Sequence, residues 1–207
     1  MKRTMVIAAL LLFACSKTEK ATEAPAPAPA PAKAAVSEGP NVPPVTGVPN
    51  VTISGNTVDI TYGGAKLHGA TRDTGKRKYT VNGGAVAYEV KPNDEGGFKL
   101  RTVDGKLLWK VKITPEKIKI SDNEENNNPF ELKVKDGGRT KVVAPGDKEL
   151  GNVRYDGTNI EVENAAGAKQ FTIPATASSG AYGVLLLDAI PAEQRAILIA
   201  EILSRGR

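Results

Sequence analysis

The chain has 207 residues, 40% hydrophobic and 25% charged, with aromatics at only 5%; that is enough for one globular domain and a tail, with a core of Val, Ile and Leu. A formal net charge of +5 is too small to argue for a nucleic-acid interface, where a larger, clustered excess is expected. A single cysteine, Cys15, and a single histidine, His68, exclude an internal disulfide, a cysteine-built metal site and a zinc site made of several histidines. At the start of the chain, Lys2 and Arg3 precede an uncharged apolar run, residues 5–13 (MVIAALLLF). The run is too short to cross a ~30 Å hydrocarbon core, which takes about 20 helical residues. It fits the h-region of a secretory signal, and removal of that segment lowers the net charge to +3.

Leu12-Phe13-Ala14-Cys15 follows. This tetrad resembles the lipobox of bacterial lipoproteins: Leu three positions before the cut, a small residue just before it, then an obligatory Cys. Phe13 stands where that family usually has a small or β-branched residue. The resemblance implies that residues 1–14 are a signal peptide cleaved between Ala14 and Cys15. It also implies diacylglycerol on the Cys15 sulfur and, usually, a further acyl chain such as palmitate on the new amine. One acyl chain anchors marginally, whereas two or more hold firmly. Ser16, where Asp would favour the inner membrane, points to the outer membrane of a Gram-negative envelope, facing the periplasm or the surface. The alternative is an ordinary signal peptide that happens to contain a cysteine.

Residues 15–50 are expected to form the lipidated cysteine and a disordered linker. Their centre alternates Ala and Pro over residues 24–32 (APAPAPAPA). Proline fixes φ and removes backbone donors, so neither helix nor sheet forms there. The expectation is an extended polyproline stalk of roughly 3.1 Å per residue, with Pro40, Pro43, Pro44 and Pro49 continuing the signal. A docking segment is the other reading.

From residue 51 onward the pattern has period two, as in 57–62 (TVDITY), 110–113 (KVKI), 117–120 (KIKI) and 131–134 (ELKV). Asn-Gly and Asp-Gly pairs punctuate it, as tight hairpin turns require. Three segments align without gaps: 98–111 (FKLRTVDGKLLWKV), 130–143 (FELKVKDGGRTKVV) and 160–173 (IEVENAAGAKQFTI). Gly105, Gly137 and Gly167 coincide, as do Leu100, Leu132 and Val162, and Val111, Val143 and Ile173. Each reads as strand, turn and returning strand, with further strands at 116–121 and 148–155. About a dozen short strands result. The fold class is therefore mainly β, an antiparallel meander forming a closed or nearly closed barrel, because so large an open sheet curls, splits or closes. An open sheet or sandwich capped by C-terminal helices is the alternative.

One or two hydrophobic helices are expected over residues 181–204. Residues 182–187 (YGVLLL) are apolar, Pro191 sits where a first helical turn begins, and 192–203 (AEQRAILIAEIL) follow. Gln194, Glu201 and Arg205 share one stripe of the helical wheel, and the rest is nearly all apolar. Such a helix belongs inside something. A meander of about twelve strands followed by a hydrophobic helix resembles the tubby-like fold of phospholipid scramblases and LURP-one-related proteins. The resemblance implies a barrel around the C-terminal helix and transfers no functional residue.

Catalytic motifs are lacking. His68 stands in a turn-rich stretch with no nucleophile-elbow pattern, and reads as a surface or hydrogen-bonded structural residue. The oxygen-rich residues 121–129 (SDNEENNNP) lack calcium-loop spacing and read as a solvated loop. No cofactor or metal is expected. Lys110, Lys112, Lys117, Lys119, Lys133 and Lys135 alternate with apolar neighbours. On adjoining strands they share an outward face suited to anionic lipid or lipopolysaccharide, or serve only solubility and edge protection. The function expected is a membrane-anchored, non-catalytic binding or interaction module of the cell envelope, with a protein or anionic lipid as partner. A lipid-handling protein is the alternative, and a carboxylate-based hydrolase a more distant one.

Overall fold

A computed structural model describes residues 47–207 apart from Asp73 and Glu95. The signal peptide, Cys15 and most of the linker lie outside the described residues. The strands are β1 (Asn50–Ser54), β2 (Thr57–Tyr62), β3 (Ala65–Thr71), β4 (Arg77–Val81), β5 (Val86–Pro92), β6 (Phe98–Thr102) and β7 (Leu107–Ile113). They continue as β8 (Lys117–Ser121), β9 (Phe130–Lys135), β10 (Arg139–Ala144), β11 (Lys148–Tyr155), β12 (Asn159–Asn164) and β13 (Lys169–Pro174). Each pairs antiparallel with the next, so spatial order equals chain order in one 13-stranded sheet. A 3-10 segment, Gly180–Leu186, and one α-helix, α1 (Ala192–Leu203), close the chain. Among the described residues no helix is long and apolar enough to cross a membrane.

The three aligned segments are hairpins β6–β7, β9–β10 and β12–β13. In the first and third, equivalent residues pair: Phe98 with Val111, and Ile160 with Ile173. Both carry a bulge at the same point, after Leu100 and after Val162. The middle hairpin pairs one residue out of step, Glu131 with Val143, and has no bulge. Gly105, Gly137 and Gly167 have φ of 90°, 71° and 79°, the left-handed turn conformation that favours glycine.

The period-two pattern buries one face of the sheet. Ile60, Leu100, Val111, Ile120, Leu132 and Val162 are all inaccessible or nearly so. A flat sheet of 13 strands is about 58 Å wide at ~4.8 Å per strand, while a 12-residue helix is only ~18 Å long. Yet α1 is bonded by side chains from β4, β5 and β7 and packs on β2, and the 3-10 segment packs on β9, β10, β11 and β12. The sheet must therefore curl around the C-terminal segment. Residues Ala196, Ile197, Leu198, Ile199 and Ala200 are fully buried in consequence. Each large aliphatic side chain so buried contributes roughly 1.5–3 kcal/mol.

The curl does not close into a barrel: β1 pairs only with β2, and β13 only with β12. Consecutive antiparallel pairing makes every odd-numbered strand run the same way, so β1 and β13 could meet only as a parallel pair, which is slightly weaker per residue. The open-sheet alternative fits, and closure into a barrel is not seen. Pro49 is buried and Val48 packs on the core, so these last residues before β1 lie against the sheet.

Candidate functional site: a lysine face and an open seam

The outer face of β6 to β10 gathers the predicted cations, because these strands adjoin in order and buried residues alternate with them. Lys110 stands directly opposite Lys99, and Lys112 opposite Lys119. Lys117 faces Lys133, which in turn faces Lys141. Lys135 faces Arg139 at the turn of β9–β10, away from the centre of the patch. Like charges directly opposite each other destabilise a sheet, so the arrangement needs compensation. Glu131 supplies most of it. Its carboxylate lies 3.3 Å from Lys117, 3.4 Å from Lys119 and 2.9 Å from Lys133. Burial pushes the Glu131 carboxyl up, but the bonds from Lys133 and Lys117 outweigh it and hold it below the usual carboxylate range. Asp147, 2.8 Å from Lys133, is likewise lowered by that bond. Glu124 bridges Lys99 and Arg101, and Glu149 pairs with Lys141. Among the described residues, Glu124, Glu131, Asp147 and Glu149 lie among the cations of this face, which carries more basic than acidic groups.

The oxygen-rich loop after β8 is bonded internally. Ser121 Oγ donates to Asn126 Oδ1, Asn127 N–H donates to Asn123 Oδ1, and Glu124 serves the lysine face. Among the described residues no group of three His, Cys, Asp or Glu side chains is placed to hold a metal ion. His68 lies on the outer face with Nδ1 2.7 Å from Asp59 Oδ1, both about half exposed.

The seam left by the open sheet forms a cleft of about 490 Å³. Tyr62 and Gly47 lie on its β1–β2 side, Leu150 and Phe171 on its β11–β13 side, and Leu186 and Arg195 along its floor. Arg195 donates to the Leu185 carbonyl at 2.9 Å and to Asp188 at 3.0 Å, which ties the helix to the 3-10 segment.

Inside the curl, the polar stripe of α1 is buried rather than solvated. Glu201, 1% exposed, accepts from Arg77 at 2.6 Å, from Tyr79 at 2.7 Å and from Arg205 at 2.6 Å. The Arg205 guanidinium also stacks over the Phe98 ring, 4.5 Å from its centroid. Burial, then the neighbouring Glu201, pushes the Tyr79 hydroxyl well up, so it stays a donor. Gln194 accepts from Trp109 at 2.6 Å, and Glu193 Oε2 accepts from Tyr88 at 2.7 Å. These bonds orient the helix within an otherwise apolar interior. Sequence reasoning marked Gln194 and Glu201 as a stripe. It missed Arg77, Tyr79, Tyr88 and Trp109, whose only signal was a polar atom on strands with a buried face.

Comparison of the chain with family models, with curated proteins and with solved structures finds no match.

Proposed function

We propose that the chain is a lipid-anchored protein of the bacterial envelope that works by binding rather than catalysis, its lysine face contacting an anionic lipid surface. The observation that carries the reading is Leu12-Phe13-Ala14-Cys15, with the only cysteine of the chain at the one position where a lipobox needs it. The positive face of β6 to β10 supports the second half, since each basic residue near an anionic membrane contributes about 1 kcal/mol. Solubility alone would be served by lysines scattered over the surface, without like charges set opposite one another. Carriage of an acyl chain inside the sheet is disfavoured, because side chains of α1 already occupy that space.

Fatty-acid labelling of cells expressing the full chain tests the anchor. Cys15→Ser is expected to lose both label and membrane association, and retained label refutes the assignment. The unlipidated Cys15→Ser chain then tests the face by co-sedimentation with vesicles containing anionic phospholipid. Binding should weaken steeply as salt rises. It should fall at least tenfold on adding Lys112→Glu and Lys119→Glu; unchanged binding removes the lysine face from the proposal.

A further inference from the structure

Strand β1 is an edge of unusual composition. Asn50, Val51, Thr52, Ile53 and Ser54 include no charge and no proline. The opposite edge, β13, carries Lys169 and Pro174, two of the usual guards against edge-to-edge pairing. Val51 and Ile53 pair with the core residues Ile60 and Val58, so they belong to the inner face of the sheet. Ile53 is nevertheless 44% exposed, one of few large apolar side chains left so among the described residues.

We infer that β1 pairs antiparallel with β1 of a second copy of the same chain, about a two-fold axis at Thr52. That register sets Val51 against Ile53 of the partner copy, twice, on the inner face. It sets Thr52 against Thr52, and Asn50 against Ser54, on the outer face. Apolar residues meet apolar ones, hydroxyl and amide groups meet each other, and no charge meets its like, as cross-strand pairing favours. A two-fold axis makes the contact self-limiting: two unguarded edges are consumed and none remains. Self-pairing is preferred over a docked peptide because of where the chain leads. β1 directly follows in sequence the segment that leads back to Cys15. On the anchored reading two copies share one bilayer, and confinement raises the effective concentration of one edge for the other. Five-residue strands form too small a contact to hold a dimer in dilute solution.

The test uses the full chain with Thr52→Cys, mildly oxidised in isolated membranes, with Thr172→Cys on β13 as the control edge. A disulfide-linked homodimer is expected from Thr52→Cys at several-fold the control level. Adding Ile53→Lys, which sets a charge against Val51, should abolish it. In a second arm, the Cys15→Ser, Thr52→Cys chain is oxidised free in solution, where dimer should appear only as concentration rises toward millimolar. Cross-linking at the control level in both arms overturns the pairing, and so does capture of Thr52→Cys by other proteins alone. Cross-linking in solution together with no fatty-acid label at Cys15 keeps the pairing and refutes the anchor.

Discussion

Glu193 illustrates how a single buried acid couples this fold to pH. Burial raises its carboxyl above the ordinary glutamate range, the Tyr88 bond only partly offsetting this, and Oε1 is buried with no partner among the described residues. A group whose folded value is raised stabilises the fold while protonated, below its unfolded value, and that contribution disappears as pH rises through the folded value. Glu193→Gln keeps a neutral acceptor for Tyr88. Its denaturation midpoint is therefore expected to exceed that of the parent by a margin that widens between pH 4 and pH 8, and a margin independent of pH contradicts this account. Glu201 is ionically bonded on both oxygens. Glu201→Ala leaves Arg77 and Arg205 facing each other in a poorly solvated space and should cost about 3–5 kcal/mol, measured by urea titration. Neither effect was readable from the chain. The polar stripe on α1 marked Glu201 but not Glu193, and Tyr88 and Arg77 lie 105 and 124 positions from the acids they bond, separations that no local pattern encodes.

Hairpins are the unit in which this chain was most readable. Period-two patterning with Asp-Gly and Asn-Gly turns located the strands, and the gapless alignment of three segments correctly placed six of them. Local chemistry suffices there, because turn type and strand face are decided within a few residues. The bulges escaped, since they depend on how neighbouring strands register. Glycines outside turns were also overlooked. A Cβ at Gly97 would sit 1.9 Å from the Val111 carbonyl oxygen, so the β6–β7 hairpin is built on close backbone approach. Gly97→Ala should destabilise by roughly 1–3 kcal/mol, whereas a Cβ at Gly105 meets open space and the cost there is backbone strain alone. Equal losses at the two positions would contradict the close-approach argument.

Across the whole molecule, the number of strands sets how the two ends of the sheet could meet. An even count would bring the two ends together antiparallel; thirteen does not. A sequence count of about a dozen cannot decide parity; the β-rich class and the buried C-terminal helix held, while closure of the sheet into a barrel is not seen. The shared lysine face was readable because alternation and strand order are both local in a meander. Glu131 at its centre, the group that lets three lysines coexist, showed in the sequence only as one residue of a period-two strand. The interior is equally dependent on a distant element, for α1 fills the space enclosed by strands made long before it. A chain ending at residue 191 is expected to lose cooperative unfolding and to bind a hydrophobic dye; a sharp transition in that variant would show that the sheet stands without its helix.

The placement of that helix after all thirteen strands has a consequence for how the protein is made. Synthesis proceeds from the N-terminus, so the thirteen strands emerge before the residues that are to occupy their greasy interior. Until residues 192–203 arrive, the half-built body exposes an apolar concavity and an unguarded edge, the circumstances in which nascent β-proteins aggregate. Completion of the core is thus deferred until residues 192–203 have been made, and the growing chain must be kept apart from its neighbours until then.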